Sequence, residues 1–392
     1  MYKVYSENRL PILSWCEDLE DQGQALEQAT NLANHSVCDL SVNLMADAHG
    51  GYGMPIGGVI ACSKHVIPSA VGFDGGCGVY WILTNIHVSR ITKKIIENIV
   101  SKLEQRVPLG FNWHKEGVDW EGFSKCPDVK FLKDLIPSAK RQLGTLGKNN
   151  HFLEIQQNQD GYISLMVHSG SRNLGHKVAT YYNKIATEEC KRWKSELPDK
   201  DLAFLPIDNK YGKEYLKVLD FILKFAKENR RQLMLAVTTA LTEEVSHWTI
   251  VDNVDIHHNY AAWENFKRKN YLIHRKGAIR LRKDEIGLIP GDMGTNSYVV
   301  KGLGNEKALN SCSHGAGRIM SRTAASKTLD QKKCEDKMKD IVFSGFKVNE
   351  RTGLIDLGEA SESYKDVDSV INAQKDLCVP VHKLSPLGVV KG

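Results

Sequence analysis

The chain has 392 residues and a formal net charge of +5, with 42% hydrophobic and 25% charged residues, as is typical of a globular protein. It contains no apolar run of about 18 residues, which argues against a membrane span, and its charged N-terminus does not resemble a signal peptide. The mild positive charge does not by itself indicate a nucleic-acid partner, because affinity for a polyanion depends on local clusters. The nine cysteines are scattered without a C-x-x-C pair, so we expect free thiols and a cytoplasmic protein.

The hydrophobic pattern predicts a mixture of helices and strands, and the absence of repeats and long linkers favours one domain over residues 1–392. Lys93–Arg106 carries branched apolar residues at helical spacing. A second predicted helix begins near His176 and runs toward Leu197, and a longer one follows Gly212. Segments rich in β-branched and aromatic residues predict the strands Val79–Val88, Ile163–Val167 and Tyr298–Val300.

A carboxylate and a thiol stand three residues apart in the glycine-rich segment Asp74–Gly78. The apolar residues Val71–Phe73 precede it, which predicts the end of a strand that opens into a tight turn. Asp74 and Cys77 placed in this way can point at one metal ion. A glycine turn with a buried structural cysteine explains this segment equally well on its own.

Three histidines stand beside glycines or at a predicted strand end. His151 follows a glycine-bearing loop, His168 ends an apolar strand, and His258 is the second residue of a His-His-Asn triplet. Any one of them alone is more often structural, but together with the Asp/Cys turn they favour a metal site. Five such ligands suit two ions, and their chemistry leaves zinc, manganese, iron and cobalt open. The pair Asp47 and His49 fits a site role or a surface turn.

The segment Ser313–Arg318 sets a single histidine in a glycine-rich loop, with an arginine four positions later. Small residues let a phosphate approach the main chain and its N–H groups. His314 can attack phosphorus, and the Arg318 guanidinium can hold phosphate oxygens. This segment therefore predicts nucleotidyl or phosphoryl transfer through a histidine. Pro290–Thr295 is a second small-residue loop, either a nucleotide contact or a plain turn.

A dense group of basic residues lies between Lys267 and Lys283. Apolar and aromatic residues interrupt it, so we expect part of the segment to be packed and part to present charge. A groove for an RNA backbone is one interpretation, and a solvated surface is the other.

Taken together, these segments resemble the RtcB family of RNA ligases, which join an RNA 3′-phosphate or 2′,3′-cyclic phosphate end to a 5′-hydroxyl end. The resemblance runs in order from about Leu44 to the last residue. The matching motifs are Asp74–Gly78, Gly144–Glu154, His168–Arg172, His257–Tyr260, His274–Ala278, Pro290–Ser297, Ser313–Arg322, Tyr364–Val367 and Val390–Gly392. The resemblance implies an α+β fold, a single domain with a β-sandwich-like core surrounded by helices.

The resemblance also implies a role for each matching residue. His314 matches the histidine that becomes covalently guanylylated. The implied ligands of two Mn²⁺ ions are Asp74 and His151 on one ion, His168 and His258 on the other, and Cys77 as a bridge. The positions that match the surroundings of GTP are Asn150, Glu154, Asn259, Pro290, Gly291, Asp292, Met293, Ser297, Gly315, Ala316, Gly317 and Lys391. We add Arg172, Arg275 and Arg318 as candidate contacts for RNA phosphates.

Three departures from the family pattern indicate a divergent branch. Many members have Pro-Asp-Val-His where this chain has Ala46–His49, and isoleucine where it has Gly75. Asp292 replaces a common serine and brings a carboxylate near the expected phosphate path. Besides an RNA ligase for repair or tRNA splicing, the sequence allows a metal-dependent RNA phosphodiesterase or phosphatase without covalent guanylylation, or an RNA-binding protein with an inert metal site. It does not predict which RNA is used, or whether a protein activator is required.

Overall fold

A computed structural model describes residues 2–346, 348 and 353–392, and within them the chain forms eight α-helices and seventeen β-strands. The helices are α1 Gly23–Asn34, α2 Lys93–Arg106, α3 Lys130–Gln142, α4 Arg172–Arg192, α5 Lys210–Glu244, α6 Arg322–Thr328, α7 Gln331–Lys337 and α8 Val367–Ala373. The strands are β1 Lys3–Tyr5, β2 Ile12–Ser14, β3 Asp39–His49, β4 Ile56–Cys62, β5 His65–Val66, β6 Gly78–His87, β7 Phe152–Asn158, β8 Tyr162–Ser169, β9 Leu205–Pro206, β10 Ile250–His257, β11 Asn259–Phe266, β12 Lys269–Lys276, β13 Ala278–Arg280, β14 Ile286–Ile289, β15 Ser297–Gly302, β16 Ser311–Ser313 and β17 Cys378–Lys391. None of the helices in the described residues has the length and apolar character that a bilayer crossing requires.

The predicted elements are present, with shifts at their ends. Helix α2 has the predicted bounds, and the Thr92 hydroxyl at its start accepts a hydrogen bond from the Ile95 N–H. Helix α4 begins earlier than His176 and ends before Leu197. The predicted strands correspond to β6, β8 and β15, and all nine cysteines are free.

One sheet has seven strands in the order β10-β6-β8-β7-β17-β15-β14, all antiparallel. Its two edge strands lie close to each other, so the sheet is nearly closed. Because side chains alternate along a strand, Leu153 and Ile155 face α2 and α5, while Phe152 and Glu154 face the interior of the sheet. The same alternation places His168 of β8 on that interior face.

The second large sheet has six strands in the order β1-β2-β3-β4-β12-β11. One of its faces packs on α1, α3, α4 and the first half of α5. Its other face shares a hydrophobic cluster with β14 and β15 of the seven-stranded sheet, as contacts of Met45, Val59, Ile273, Ile289 and Val300 show. Two sheets with a common core and helices outside confirm the predicted α+β class.

The predicted strand end before Asp74 is wrong. Residues Pro68–Ala70 form a short 3-10 turn, and the strand begins only after the thiol, at Gly78. Gly72 has φ +88° and Gly76 has φ +80°, so neither fits extended backbone. The turn itself closes through a hydrogen bond from the Cys77 N–H to the Asp74 carbonyl, 3.0 Å long.

Candidate active site and metal centre

The loops that carry the candidate functional residues surround a cavity of about 760 Å³. Most of the residues predicted for the site lie on its wall. They are Asp74, Asn150, His151, His168, Pro290, Gly291, Asp292, His314, Gly315, Ala316, Gly317 and Lys391. Segments that are distant in sequence therefore meet at one place, between the ends of strands from both sheets.

The predicted metal ligands lie together at the base of this cavity. The Cys77 Sγ atom is 3.4 Å from His151 Nε2 and 3.4 Å from His168 Nε2. The Asp74 Oδ2 atom is 3.2 Å from His151 Nε2. The His258 ring centroid is 5.0 Å from that of His168. The ligand atoms of Cys77, His151 and His168 all lie within 4.8 Å of one another, close enough to hold one metal ion, and Asp74 and His258 stand beside them.

Hydrogen bonds behind the ligands fix their orientation. His151 Nδ1 lies 2.9 Å from the Leu146 carbonyl and must donate to it, which leaves the Nε2 lone pair for a cation. The Asp74 Oδ1 atom accepts from the Ser171 N–H and hydroxyl, which leaves Oδ2 facing the cluster.

A buried arginine joins the ligand-bearing segments to helix α5. Arg230 Nη1 donates to the Gly76 carbonyl at 2.9 Å and to the Ser169 carbonyl at 3.2 Å. Its Nε donates to Asp255 at 2.7 Å, and its Nη2 lies 3.3 Å from His257 Nδ1. Gly76 precedes Cys77 and Ser169 follows His168 in the sequence. The Arg230 side chain therefore fixes the distance between these two candidate ligands.

The donor set fits a divalent transition-metal cation. Burial lowers the pKa of His168 and of His258 well below the usual value, so both imidazoles are neutral and can donate a lone pair. Burial and the nearby Asp74 carboxylate raise the pKa of the Cys77 thiol, and a bound cation would reverse that tendency. His258 Nδ1 is buried and has no hydrogen-bond partner among the described residues, as expected of a nitrogen reserved for a cation.

His314 stands beside this cluster on the loop after β16. Its ring centroid is 4.7 Å from that of His258. Its Nδ1 atom lies 2.7 Å from Asp47 Oδ2, and the same carboxylate oxygen accepts from the His314 and Gly315 N–H groups. The imidazole is thus held in the tautomer with hydrogen on Nδ1, and the unprotonated Nε2 is the nitrogen available to react.

Asp47 is the functional residue that sequence reasoning did not assign. The alternative of a surface turn is wrong, because Asp47 lies within β3 and is fully buried. Burial would raise its pKa, but the facing His314 imidazole outweighs burial and lowers the pKa. The signal was present in the sequence: an acid within the apolar run Leu44–Ala48 must be paired when that strand is buried.

The glycine-rich loop after β16 binds the Asp47 carboxylate with its main-chain N–H groups. Its first two N–H groups, on His314 and Gly315, already bond to the carboxylate, so they cannot hold a phosphate at the same time. Gly317 has φ +78°, and a Cβ there would lie 2.4 Å from the Asp47 carbonyl oxygen. Glycine at this position permits the close approach that places the histidine over the buried acid.

Glu359 is a second carboxylate that sequence reasoning missed, and it contacts three cationic side chains of the cavity wall. Glu359 accepts from Arg322 Nε at 2.8 Å and from Lys391 Nζ at 3.2 Å, and Arg318 Nη1 lies 3.4 Å away. Burial would raise the pKa of Glu359, but Lys391 and Arg322 hold it at about 2. Arg318 Nη2 is buried without a partner among the described residues, so it is available to an anion in the cavity.

Four residues predicted near GTP lie off the cavity wall within the described part of the chain. Ser297 Oγ accepts from the Gly291 N–H, and Met293 is buried among apolar side chains. Asn259 bonds the Asp74 carbonyl and the Gly277 N–H, which supports both loops. Their contacts with GTP, and that of the buried Glu154, stay predictions.

The unusual Asp292 carboxylate is turned into its own loop. Its Oδ2 accepts from the Thr295 hydroxyl at 2.8 Å, and its Oδ1 accepts from the Gly294 N–H at 2.8 Å and from the Ser361 hydroxyl. Both oxygens are therefore occupied inside the protein. Asp292 therefore stiffens its own loop, although it also lies on the cavity wall.

Arg275 is not an RNA contact, and that prediction is wrong. It is fully buried in β12, where it pairs with Glu264 and donates to Ser311 Oγ and the Leu309 carbonyl. The next residue, Lys276, is also buried, and burial lowers its pKa to about 7. This part of the basic segment supports the fold. Arg172 and Arg318 do line the cavity.

The buried Glu154 side chain should make the stability of the folded protein depend on pH. Burial raises its pKa from 4.5 to about 8, so the folded protein holds a proton that the unfolded chain releases between those values. The contribution of Glu154 to the free energy of unfolding therefore falls as pH rises from about 5 to about 8. Glu154→Gln removes that slope, so its Tm relative to the unaltered protein should be higher at pH 8.5 than at pH 5.5. Calorimetry at both pH values measures this, and the exposed Glu196→Gln should show no such change.

A mixed α+β fold, a buried carboxylate–thiol–imidazole cluster and a carboxylate-held histidine on one cavity wall are features of a metal-dependent enzyme. A family model described as tRNA-splicing ligase RtcB matches residues 28–129 and 117–392. The RNA-splicing ligase RtcB of Escherichia coli (strain K12) is 32% identical over 415 aligned positions, which cover 100% of both chains. The tRNA-splicing ligases RtcB of Archaeoglobus fulgidus and Thermococcus kodakarensis are each 31% identical; the former match covers 94% of this chain and 91% of that relative, the latter 100% and 94%. The chain belongs to the RtcB family.

Proposed function

We propose that this protein joins an RNA 3′-phosphate or 2′,3′-cyclic phosphate end to a 5′-hydroxyl end through a covalent His314–GMP intermediate. Membership of a family of RNA-splicing and tRNA-splicing ligases supports RNA as the substrate. The observation that carries the covalent step is the 2.7 Å contact between Asp47 Oδ2 and His314 Nδ1. It leaves Nε2 of His314 with a free lone pair on the wall of a cavity large enough for a nucleotide.

The first chemical step uses that lone pair. Nε2 attacks the α-phosphorus of GTP, a P–N bond forms, and pyrophosphate leaves. The imidazole becomes positively charged in the adduct, and the Asp47 carboxylate behind it stabilises that charge. Arg318 and Lys391, which line the same cavity, supply positive charge for the phosphate oxygens.

Asp74, Cys77, His151, His168 and His258 would hold the metal, which we propose to be two Mn²⁺ ions with Cys77 between them. When bound, such cations offset the negative charge that develops on phosphate oxygens. The family resemblance is the reason for manganese, because thiolate and imidazole ligands alone would also suit zinc.

RNA joining then follows by two displacements at phosphorus. The RNA 3′-phosphate takes the GMP group from His314, which restores the neutral imidazole and activates the RNA end. The 5′-hydroxyl of the second end attacks the activated phosphate, a phosphodiester forms, and GMP leaves. A cyclic phosphate end must first be opened by hydrolysis.

The test is retention of label. The protein is incubated with α-labelled GTP and Mn²⁺, denatured, and examined for bound label that acid releases, as a phosphoramidate requires. Peptide mapping should place the adduct on His314, and a pair of RNA fragments with the stated ends should be joined. Hydrolysis of RNA ends without bound label would instead favour the phosphodiesterase, which needs the same cations but no covalent histidine.

Asp47→Asn should slow guanylylation by about 10²- to 10⁴-fold, because an amide can neither fix the reactive tautomer nor offset the charge on the adduct. Rapid-quench measurement of label incorporation gives the rate. The matched control is Asp39→Asn, at the other end of the same strand, where the carboxylate accepts a hydrogen bond from the Ser63 N–H. A normal rate for Asp47→Asn would show that the buried acid does not orient the nucleophile.

A further inference from the structure

Two exposed aromatic rings stand on the wall of the same cavity. Phe111 is 80% exposed and Trp113 is 37% exposed, and both line the cavity that holds His314. Exposing large apolar rings to water is unfavourable, so a pair of them at a ligand cavity indicates a surface that is covered during function.

The segment that carries these rings is anchored to the site. The Gly110 N–H donates to the Gly147 carbonyl at 2.7 Å, in the stretch that leads to the ligand His151. The His114 N–H donates to the Arg141 carbonyl at 2.9 Å, and Arg141 Nε donates back to the His114 carbonyl at 3.0 Å. Hydrogen bonds on both sides of the rings therefore fix their distance from the metal centre.

Each ring has a cation beside it. Lys148 Nζ lies 4.1 Å from the centroid of Phe111, and the Arg141 guanidinium carbon lies 5.8 Å from that of Trp113. No carboxylate in the described residues forms an ion pair with either cation. Five lysines and arginines line the cavity, against two carboxylates. Three of the five also contact Glu359, and the positive charge that remains in excess makes the wall complementary to a polyanion. The five are Lys148, Arg172, Arg318, Arg322 and Lys391, against Asp74 and Asp292.

Aromatic faces interleaved with unpaired cations are the combination that single-stranded nucleic acid uses: bases stack on the rings and phosphates meet the charges. We propose that Phe111 and Trp113 form a stacking platform for the unpaired bases next to an RNA end, whose terminal phosphate enters the cavity. This inference rests on the proposed function, since it takes RNA as the substrate. It adds a requirement: the end must be single-stranded where it crosses the platform.

The test is RNA affinity, which requires neither GTP nor ligation. Fluorescence anisotropy measures binding of a single-stranded RNA of about ten nucleotides with a 3′-phosphate, and of a blunt duplex of the same sequence. Combining Phe111→Ala with Trp113→Ala should weaken single-strand binding by about 5- to 100-fold. Phe111→Tyr, which keeps a ring, should change it by less than about 2-fold. The matched control is Trp263→Ala, a 48% exposed ring on β11 outside the cavity wall.

Preference for the single strand over the duplex should disappear in the double variant. The proposal of a stacking platform is wrong if the double variant binds single-stranded RNA as tightly as Trp263→Ala does, or if the unaltered protein does not bind this RNA. Guanylylation of the unaltered protein, measured separately, shows whether the proposed function fails on its own.

Discussion

Replacing His314 with alanine should reduce covalent labelling by GTP to background, a loss on the order of 10⁴-fold or more. The reason is geometric. His314 Nδ1 is tied to Asp47 at 2.7 Å, and the neighbouring imidazole of His258 belongs to the candidate metal cluster. Denaturing gels of protein incubated with α-labelled GTP measure the loss, and RNA joining should disappear with it.

The matched control for this prediction is His87→Ala, which removes an exposed histidine at the end of β6, outside the cavity wall. It should label normally. A far-ultraviolet circular dichroism spectrum of His314→Ala that matches the unaltered protein would show that the variant folds. Label that persists on the folded variant would mean that another side chain is the nucleophile, and the covalent mechanism proposed for His314 would be abandoned.

Cys77→Ala should remove bound metal and guanylylation together. The Sγ atom stands 3.4 Å from each of two imidazoles, so its loss removes the one donor shared by both halves of the cluster. We expect at least one fewer Mn²⁺ ion per chain by elemental analysis, and labelling lowered by more than about 10²-fold.

The control for the thiol is Cys126→Ala, a half-buried cysteine outside the cavity wall, which should keep its metal. Chelation of the unaltered protein should stop labelling, and added Mn²⁺ should restore it. If Cys77→Ala keeps the same metal content and labels fully, the bridging role is wrong. Loss of label with metal retained would place the thiol near the nucleotide instead.

Among the described residues, local patterns predicted three of the eight helices, three of the seventeen strands and the candidate metal ligands. The motifs around Asp74, His168 and His314 are short, and the chemistry of each is visible within a few residues. Helix α2 was predicted to the residue from its apolar spacing, which is a local signal. Residues whose role depends on distant partners were harder to predict.

Asp47 and Arg275 illustrate that difficulty. The Asp47 contact with His314 spans 267 positions, so the sequence around either residue does not reveal it. Arg275 was assigned to RNA because it stands in a basic run, yet its partner Glu264 lies across a strand pair and turns it inward. Burial separates a structural charge from a functional one, and burial is a property of the assembled sheets.

The two halves of the reaction centre have different supports. Asp47, which holds the proposed nucleophile His314, is part of the six-stranded sheet, whereas His168 is part of the seven-stranded sheet. The proposed reactive nitrogen and the candidate metal ligands are thus aligned by the packing of one layer on the other, together with contacts such as the Asn259 hydrogen bond to the Asp74 carbonyl. A displacement of about 1 Å between the layers would leave every secondary-structure element intact and still cost on the order of 10²-fold in rate. Substitutions in the shared apolar seam, such as at Ile289 or Val300, are therefore a route to tuning activity without touching the reacting groups.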